Sequence, residues 1–255
     1  MTSNDAQQIE RANATDRTPV VFVHGLWLLA SSWDRWVTHF EHAGFAPVSL
    51  SWPDDPETVE EANAHPEVFA GKTVGQIADH LEELIGSLTR KPAIVGHSFG
   101  GLLARILAGR GRSAVSVAID PAPFRGVLPL PLSSLRAATP VLSDPPNRNR
   151  AVPLAHDQLR YSFANAVDEK EARELYDTFA VPTPGAPLFQ AAAANFNPWN
   201  EAKVATENPD RGHCRSSRAR KTTPCPGRSP TPPTRSSGTT PASLRSSRSR
   251  TGVTR

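Results

Sequence analysis

The chain has 255 residues, of which 38% are hydrophobic and 25 are proline, and its formal net charge is +3. Both cysteines, Cys214 and Cys225, lie beyond residue 210, which excludes a disulfide framework or a cysteine-built metal site in the rest of the chain. No apolar run reaches bilayer-spanning length, and residues 211–255 hold none of the 25 acidic residues, so an acidic body carries a basic end.

Residues 1–17 are polar and lack the apolar core of a signal peptide. They are expected to be a flexible terminus on a cytoplasmic protein. Pro19-Val20-Val21-Phe22-Val23 is an apolar run of strand length, and it ends in His24-Gly25. Ser31 and Ser32 are placed to cap a helix presenting Trp33, Trp36, Val37 and Phe40, which Gly44 closes. Ala46 to Leu50 reads as the next strand, and residues 51–72 as loop with a short helix. Val74, Ile77, Leu81, Leu84, Ile85 and Leu88 recur at helical spacing. Ala93-Ile94-Val95 is a third strand, Phe99 to Leu107 a helix ending near Gly109, and Val115 to Ile119 a fourth strand.

Strands alternating with helices at this spacing imply βαβ units. The expected fold class is α/β, a mostly parallel sheet with flanking helices. Residues 121–200 break the rhythm with a Pro-rich stretch and helical patterns at 161–167, 171–179 and 188–196, read as a cap inserted over the sheet. The domain reaches from residue 18 to residue 210.

The stretch richest in chemistry is Lys91 to Gly109, "KPAIVGHSFGGLLARILAG". Gly96-His97-Ser98-Phe99-Gly100 is a G-x-S-x-G sequence between a predicted strand and a predicted helix. A nucleophile elbow needs that context, because the turn tolerates only small residues on either side of the serine. The geometry would lift Ser98 above the sheet and aim a helix N-terminus at it, favouring a developing negative charge. The bland alternative is a chance Gly/Ser turn.

With His24-Gly25 after the earlier strand, these motifs resemble the α/β-hydrolase superfamily, specifically its capped serine esterase and lipase-like members. The resemblance covers residues 18–210, which implies an incomplete domain whose C-terminal part, the last two sheet strands and their helices, is missing, with residues 211–255 a disordered basic tail. It implies an oxyanion hole made by the backbone N–H groups of Leu26 and Phe99, with His24, Gly25, Gly96, His97 and Gly100 as structural residues around it. It implies no cofactor and no metal, and a small-molecule ester or acyl substrate as partner. Neither a membrane nor nucleic acid is expected. Serine at the elbow, where dehalogenases and epoxide hydrolases of this fold use a carboxylate, points to acyl transfer. An apolar cap (Phe124, Leu128, Leu130, Leu132, Phe189, Phe196) suits a modest apolar group, though these positions serve equally as cap core.

Acyl transfer by serine needs an orienting acid and a histidine base, in the chain order Ser, Asp or Glu, His. Asp120, at the end of a strand, is an alternative acid. His213 has no predicted strand before it, and His156 falls in the cap as a surface residue. As translated, the chain offers Ser98 no base and is expected to be inactive.

Three explanations fit residues 211–255. They form a basic tail for nucleic acid, an inert disordered end, or a segment read out of frame. The genetic code tests the third. Joining the third base of each codon to the first two of the next, His213–Cys214 must give Leu, and the codons through Pro226 permit "LPIVSGEKDNTVP". Those from Pro226 permit "WAIAHAAYK", and Leu244–Arg255 permit "EIVEIPDRGHS". The resemblance implies that the triad acid follows a late strand, often as G-x-x-D, and the base comes near the end as G-H-S; in this spelling each motif follows a strand. The expectation is a lost base near Arg211–His213. The rival readings of function are nucleic-acid binding through the tail and non-catalytic ligand binding in the hydrolase pocket.

Overall fold

The computed structural model describes residues 2–127, 132–197, 199–218 and 221–224. The stretch expected as a flexible N-terminus is instead helix α1, Ser3–Asn13, closed by a capping box between Thr2 and Asp5. Its Ile9 and Ala12 join the main core. The short polar segment folds because one face is apolar and because its amide and carboxylate side chains have backbone groups of the sheet to bond.

Strands β1 (Pro19–Val23), β2 (Ala46–Leu50), β3 (Ala93–His97) and β4 (Val115–Ile119) agree with the sequence reading to within two residues. Between β1 and β2, Ser31 and Ser32 lie inside a 3₁₀ turn, Ala30–Trp33, and do not cap. Helix α2, Asp34–His42, continues directly from it. A short helix α3 (Val59–Ala64) and helix α4 (Val74–Gly86) precede β3. Thr73 and Gln76 box the start of α4, which buries Val74, Ile77, Ala78, Leu81, Leu84 and Ile85. Helix α5, Phe99–Gly109, is buried along its whole length.

The cap contains α6 (Leu132–Leu142), β5 (Ala151–Val152), α7 (His156–Phe163), α8 (Glu169–Phe179), β6 (Thr183–Pro184) and α9 (Ala186–Ala192), with β5 and β6 pairing antiparallel. Helix α7 starts earlier than the periodicity suggested, because Gln158 turns back to accept from the Ala155 N–H. His156 is largely buried against Tyr176 and Glu169, not a surface residue.

The chain does not leave the fold at residue 210. Strand β7, His213–Arg218, runs parallel to β4, and β8, Lys221–Pro224, turns back antiparallel to it. The order is β2-β1-β3-β4-β7-β8, with the first five strands parallel. Backbone pairing explains this placement: the open edge of β4 offers N–H and C=O groups that any sequence can satisfy.

The two faces of the sheet are covered unequally. Val21, Val23, Leu50 and Ile94 share one core with α1, α4 and α5. On the other face Val20, Phe22 and Val95 meet Trp33, Val37 and Phe40, all from the turn and α2. Val115, on that face of β4, is 41% exposed.

Candidate active site

Ser98 sits where β3 stops and α5 starts, with φ 54° and ψ −118°. This is a backbone conformation that L-residues avoid, held by its surroundings. The surroundings explain the glycines. A Cβ on Gly96 would meet the Gly100 carbonyl oxygen at 2.1 Å, and one on Gly100 would meet that of Val23 at 2.1 Å. Only hydrogen at these positions allows α5 to rise so steeply beside β1 and β3.

The Ser98 N–H donates to the Ile119 carbonyl (2.9 Å), and its own carbonyl accepts from Gly101 and Ala122 (3.0 and 2.9 Å). The backbone of the elbow is therefore tied to β4 and to the chain beyond it. Among the described residues the Ser98 hydroxyl has no hydrogen-bond partner.

The His24-Gly25 loop presses on the elbow. A Cβ on Gly25 would lie 3.2 Å from both the His97 carbonyl oxygen and Ser98 Cβ, and 3.6 Å from the Phe99 nitrogen. Leu26 and Phe99 thus belong to two segments in contact around Ser98. Among the described residues neither their N–H groups donate to a carbonyl nor to a side chain. Free N–H groups at a helix start and on an adjoining loop are what an oxyanion requires.

Trp27, at φ 63°, anchors the same loop to the cap. Its indole N–H donates to the Val152 carbonyl (3.0 Å), and its own carbonyl accepts from Val181 (3.2 Å). Sequence reasoning passed over Trp27; its only signal there was a large aromatic directly after the loop.

His24 is buried and stacks on Trp52 with ring centroids 4.7 Å apart. Its Nδ1 faces the Gly25 carbonyl at 2.9 Å and so carries the hydrogen. Its Nε2 lies 3.2 Å from Asp55, whose other oxygen is 3.6 Å from Lys72 Nζ. Neither contact is an aligned hydrogen bond. Burial lowers the pKa of Lys72, and Asp55 and Asp54 partly offset the effect. The buried Asp55 and Lys72, also missed in the sequence, fasten the 51–72 loop behind His24.

The His97 ring lies 6.4 Å, centroid to centroid, from that of Phe163 in the cap. With Ile119, His24, Gly25, Leu28 and Trp36 it lines a cavity of about 210 Å³ that Ser98 does not line. Burial lowers its pKa, with Asp120 pulling the other way. Asp120 follows β4 at φ 40°, and its N–H donates to the Ser217 carbonyl at 2.8 Å.

His213 opens β7 opposite Val115, whereas Ser98 follows His97, which pairs with Ile119. Four strand residues, about 13 Å at 3.3 Å each, separate that level from the elbow, so His213 sits at the wrong end of the sheet. His156 spends its contacts on Asp157, Glu169 and Tyr176 within the cap. Of the cap residues, Phe124 is buried under Arg105 and Phe196 is exposed. Leu128, Leu130 and the side chain of Leu132 lie outside the described part. Among the described residues no group of three or more metal-binding side chains occurs, and no helix is long and apolar enough to cross a membrane.

The sequence profile of the alpha/beta hydrolase family matches residues 20–227. The chain belongs to that family. Solved structures share the fold of this hydrolase. Polyneuridine aldehyde esterase is 18% identical with a TM-score of 0.55, covering 80% of each chain. An extracellular alpha/beta-hydrolase from a Paenibacillus species is 18% identical with a TM-score of 0.53, covering 79% of this chain and 90% of its own. A carboxylesterase structure from Nitrososphaera gargenis is 14% identical with a TM-score of 0.50, covering 80% of this chain and 72% of its own. No curated protein sequence matches the chain.

Proposed function

We propose that this fold is built for acyl transfer from an ester or related small acyl compound, with Ser98 as nucleophile. The carrying observation is the strained Ser98 backbone at the head of α5, flanked by the N–H groups of Leu26 and Phe99, which have no acceptor among the described residues. Attack of Oγ on the carbonyl carbon would form the C–O bond and move the carbonyl electrons onto oxygen, where the two N–H groups receive them. Expulsion of the alcohol leaves an acyl-Ser98, and water releases the acid. The structural neighbours named as esterases support an ester over other acyl compounds.

Neither step is efficient without a group to take the Ser98 proton. No described histidine bonds the Ser98 hydroxyl, so the chain as translated is expected to turn over at no more than a residual rate. Removing the histidine from a serine protease triad costs on the order of 10⁶ in kcat.

Chemical rescue tests the reading. Free imidazole supplied with an aryl acetate should stand in for the base and leave an acetyl group on Ser98, detected by mass spectrometry on the peptide containing it. Ser98→Ala should remove the adduct while other sites keep their background. An adduct spread equally over surface lysines, with none on Ser98, would end the proposal.

A further inference from the structure

Strand β7 holds a position that calls for one kind of sequence and carries another. A parallel strand covered by helices on both faces reads as a near-continuous apolar run. Strand β1, Pro-Val-Val-Phe-Val, is such a run and is buried at every position. Strand β7 also runs parallel to its inner neighbour β4, with β8 antiparallel on its outer side, yet it reads His-Cys-Arg-Ser-Ser-Arg. Register with Ser116 and Ala118 turns Cys214 and Ser216 toward α5, where Ser216 is buried and accepts from Arg105 at 2.7 Å. Register with Val115 and Val117 turns His213 and Arg215 to the other face, where both are exposed.

A second mismatch lies at the elbow, where among the described residues a strained serine has two N–H groups beside it without acceptors and no histidine bonded to its hydroxyl. Both defects concern what should follow residue 212. There the composition also changes: from Arg211 to Arg255 there is no acidic or aromatic residue.

We infer that the chain from His213 onward is translated one base out of the frame that encodes the rest of this hydrolase, and that the displaced frame carries the acid and the base for Ser98. That the two residues serve Ser98 rests on the acyl-transfer reading above; the displacement itself does not. In the displaced frame Leu is forced at the His213–Cys214 boundary, and Pro, Ile, Val and Ser are permitted at the next four. An apolar strand then lies in register with Val115–Ile119, with its alternating side chains turned to both sheet faces.

The next three boundaries permit Gly-Glu-Lys, and the Lys221–Thr222 boundary allows only Asp or Asn. That position falls just past the C-terminal end of β7. In a parallel sheet the same edge carries Ser98 after β3 and Asp120 after β4, so the new carboxylate arrives two strands from the nucleophile. The codons from Leu244 onward permit a second strand, Glu-Ile-Val-Glu-Ile. The Val253–Thr254 boundary allows Asn, Asp, His or Tyr. Histidine there completes the order Ser, Asp, His.

The nucleotide sequence of codons 209–255 tests the frame without any folded protein. The inference requires the Lys221 codon to be AAG, giving Asp, the Val253 codon to be GTC, giving His, and no stop triplet in the displaced frame. A Lys221 codon of AAA, any other Val253 codon, or an internal stop overturns it. Insertion of one base in codon 212 then gives the restored protein, assayed on p-nitrophenyl butyrate beside the present chain. A Ser98-dependent gain of about 10⁴-fold or more is expected. Alanine for the histidine spelled at Val253–Thr254 should abolish it. An open frame whose product unfolds cooperatively but hydrolyses no ester would leave the displacement standing and remove the acyl-transfer reading.

Discussion

Gln8 and Ser49 bond as two strands would. The Gln8 amide oxygen accepts from the Ser49 N–H at 2.8 Å, and the amide nitrogen donates to the Ser49 carbonyl at 3.1 Å. One turn earlier in α1, the buried Asp5 accepts from the Ser51 N–H at 3.1 Å. The edge of β2, which would otherwise present unpaired groups to any passing strand, is closed by side chains of a helix.

Gln8→Ala should therefore cost more than a surface substitution, about 1–3 kcal/mol, because it strands two buried backbone groups. Urea unfolding measures it. Removal of residues 1–13 should go further and shift the protein toward concentration-dependent association through the bare β2 edge, seen by light scattering. A truncated chain as stable and monomeric as the full one would show that α1 does not close the edge.

At the elbow, Gly100→Ala should be severe. Its Cβ would sit 2.1 Å from the Val23 oxygen and 2.4 Å from that of His24, both backbone atoms that cannot swing aside. The expected loss is about 3 kcal/mol, or about 10 °C in Tm for a domain of this size. Gly44→Ala is the control. Gly44 has φ 87° and open space around it, so only backbone strain of about 1 kcal/mol applies. Gly100 is helical and carries no φ strain, so a loss there no larger than at Gly44 would mean that α5 and β1 move apart to admit the methyl group.

The four central strands and the helices between them were legible because two periods alternate cleanly along residues 19–119. The elbow was legible because G-x-S-x-G fell at a junction of those periods. Helix α1 was not, because its stability comes from Gln8 and Asp5 bonding a strand more than forty residues away, which no local pattern records. The 3₁₀ turn at Ala30–Trp33 escaped because Ser32 bonds back to the Leu29 carbonyl instead of capping forward. The continuation of the sheet into β7 escaped for the opposite reason. Its side chains deny a strand, and only the open backbone edge of β4 calls for one. Asp55 and Lys72 lie in a loop without periodicity, so their burial behind His24 had no sequence signal.

That buried cluster yields a prediction with an internal comparison. Asp55→Ala removes the larger of two carboxylate attractions on Lys72 and the acceptor for the Trp52 N–H, 3.1 Å away. Leaving a buried charge without its partner costs about 3 kcal/mol or more. Asp55→Asn keeps an acceptor for Trp52 and loses only the charge. If the two variants lose the same stability, the charge decides; if Asn is nearly silent, the Trp52 bond decides. Loss of Asp55 should also loosen the His24-Gly25 loop, read as faster amide exchange at Leu26.

The last prediction concerns pH. Burial lowers the pKa of His97 and of His80 below their ordinary value of 6.5. Between that value and the lower one of the folded protein, the unfolded chain binds more protons than the folded one. Stability therefore rises with pH across this window, and it is lost as pH falls below 6.5. His97→Gln cannot take the proton in either state, so its urea midpoint should fall less steeply from neutral pH downward. His80→Gln should remove a further part of the slope, and the double variant most of it. Parallel curves for the parent and His97→Gln would mean that His97 reaches solvent through the cavity beside Trp36 and titrates as it does in the unfolded chain.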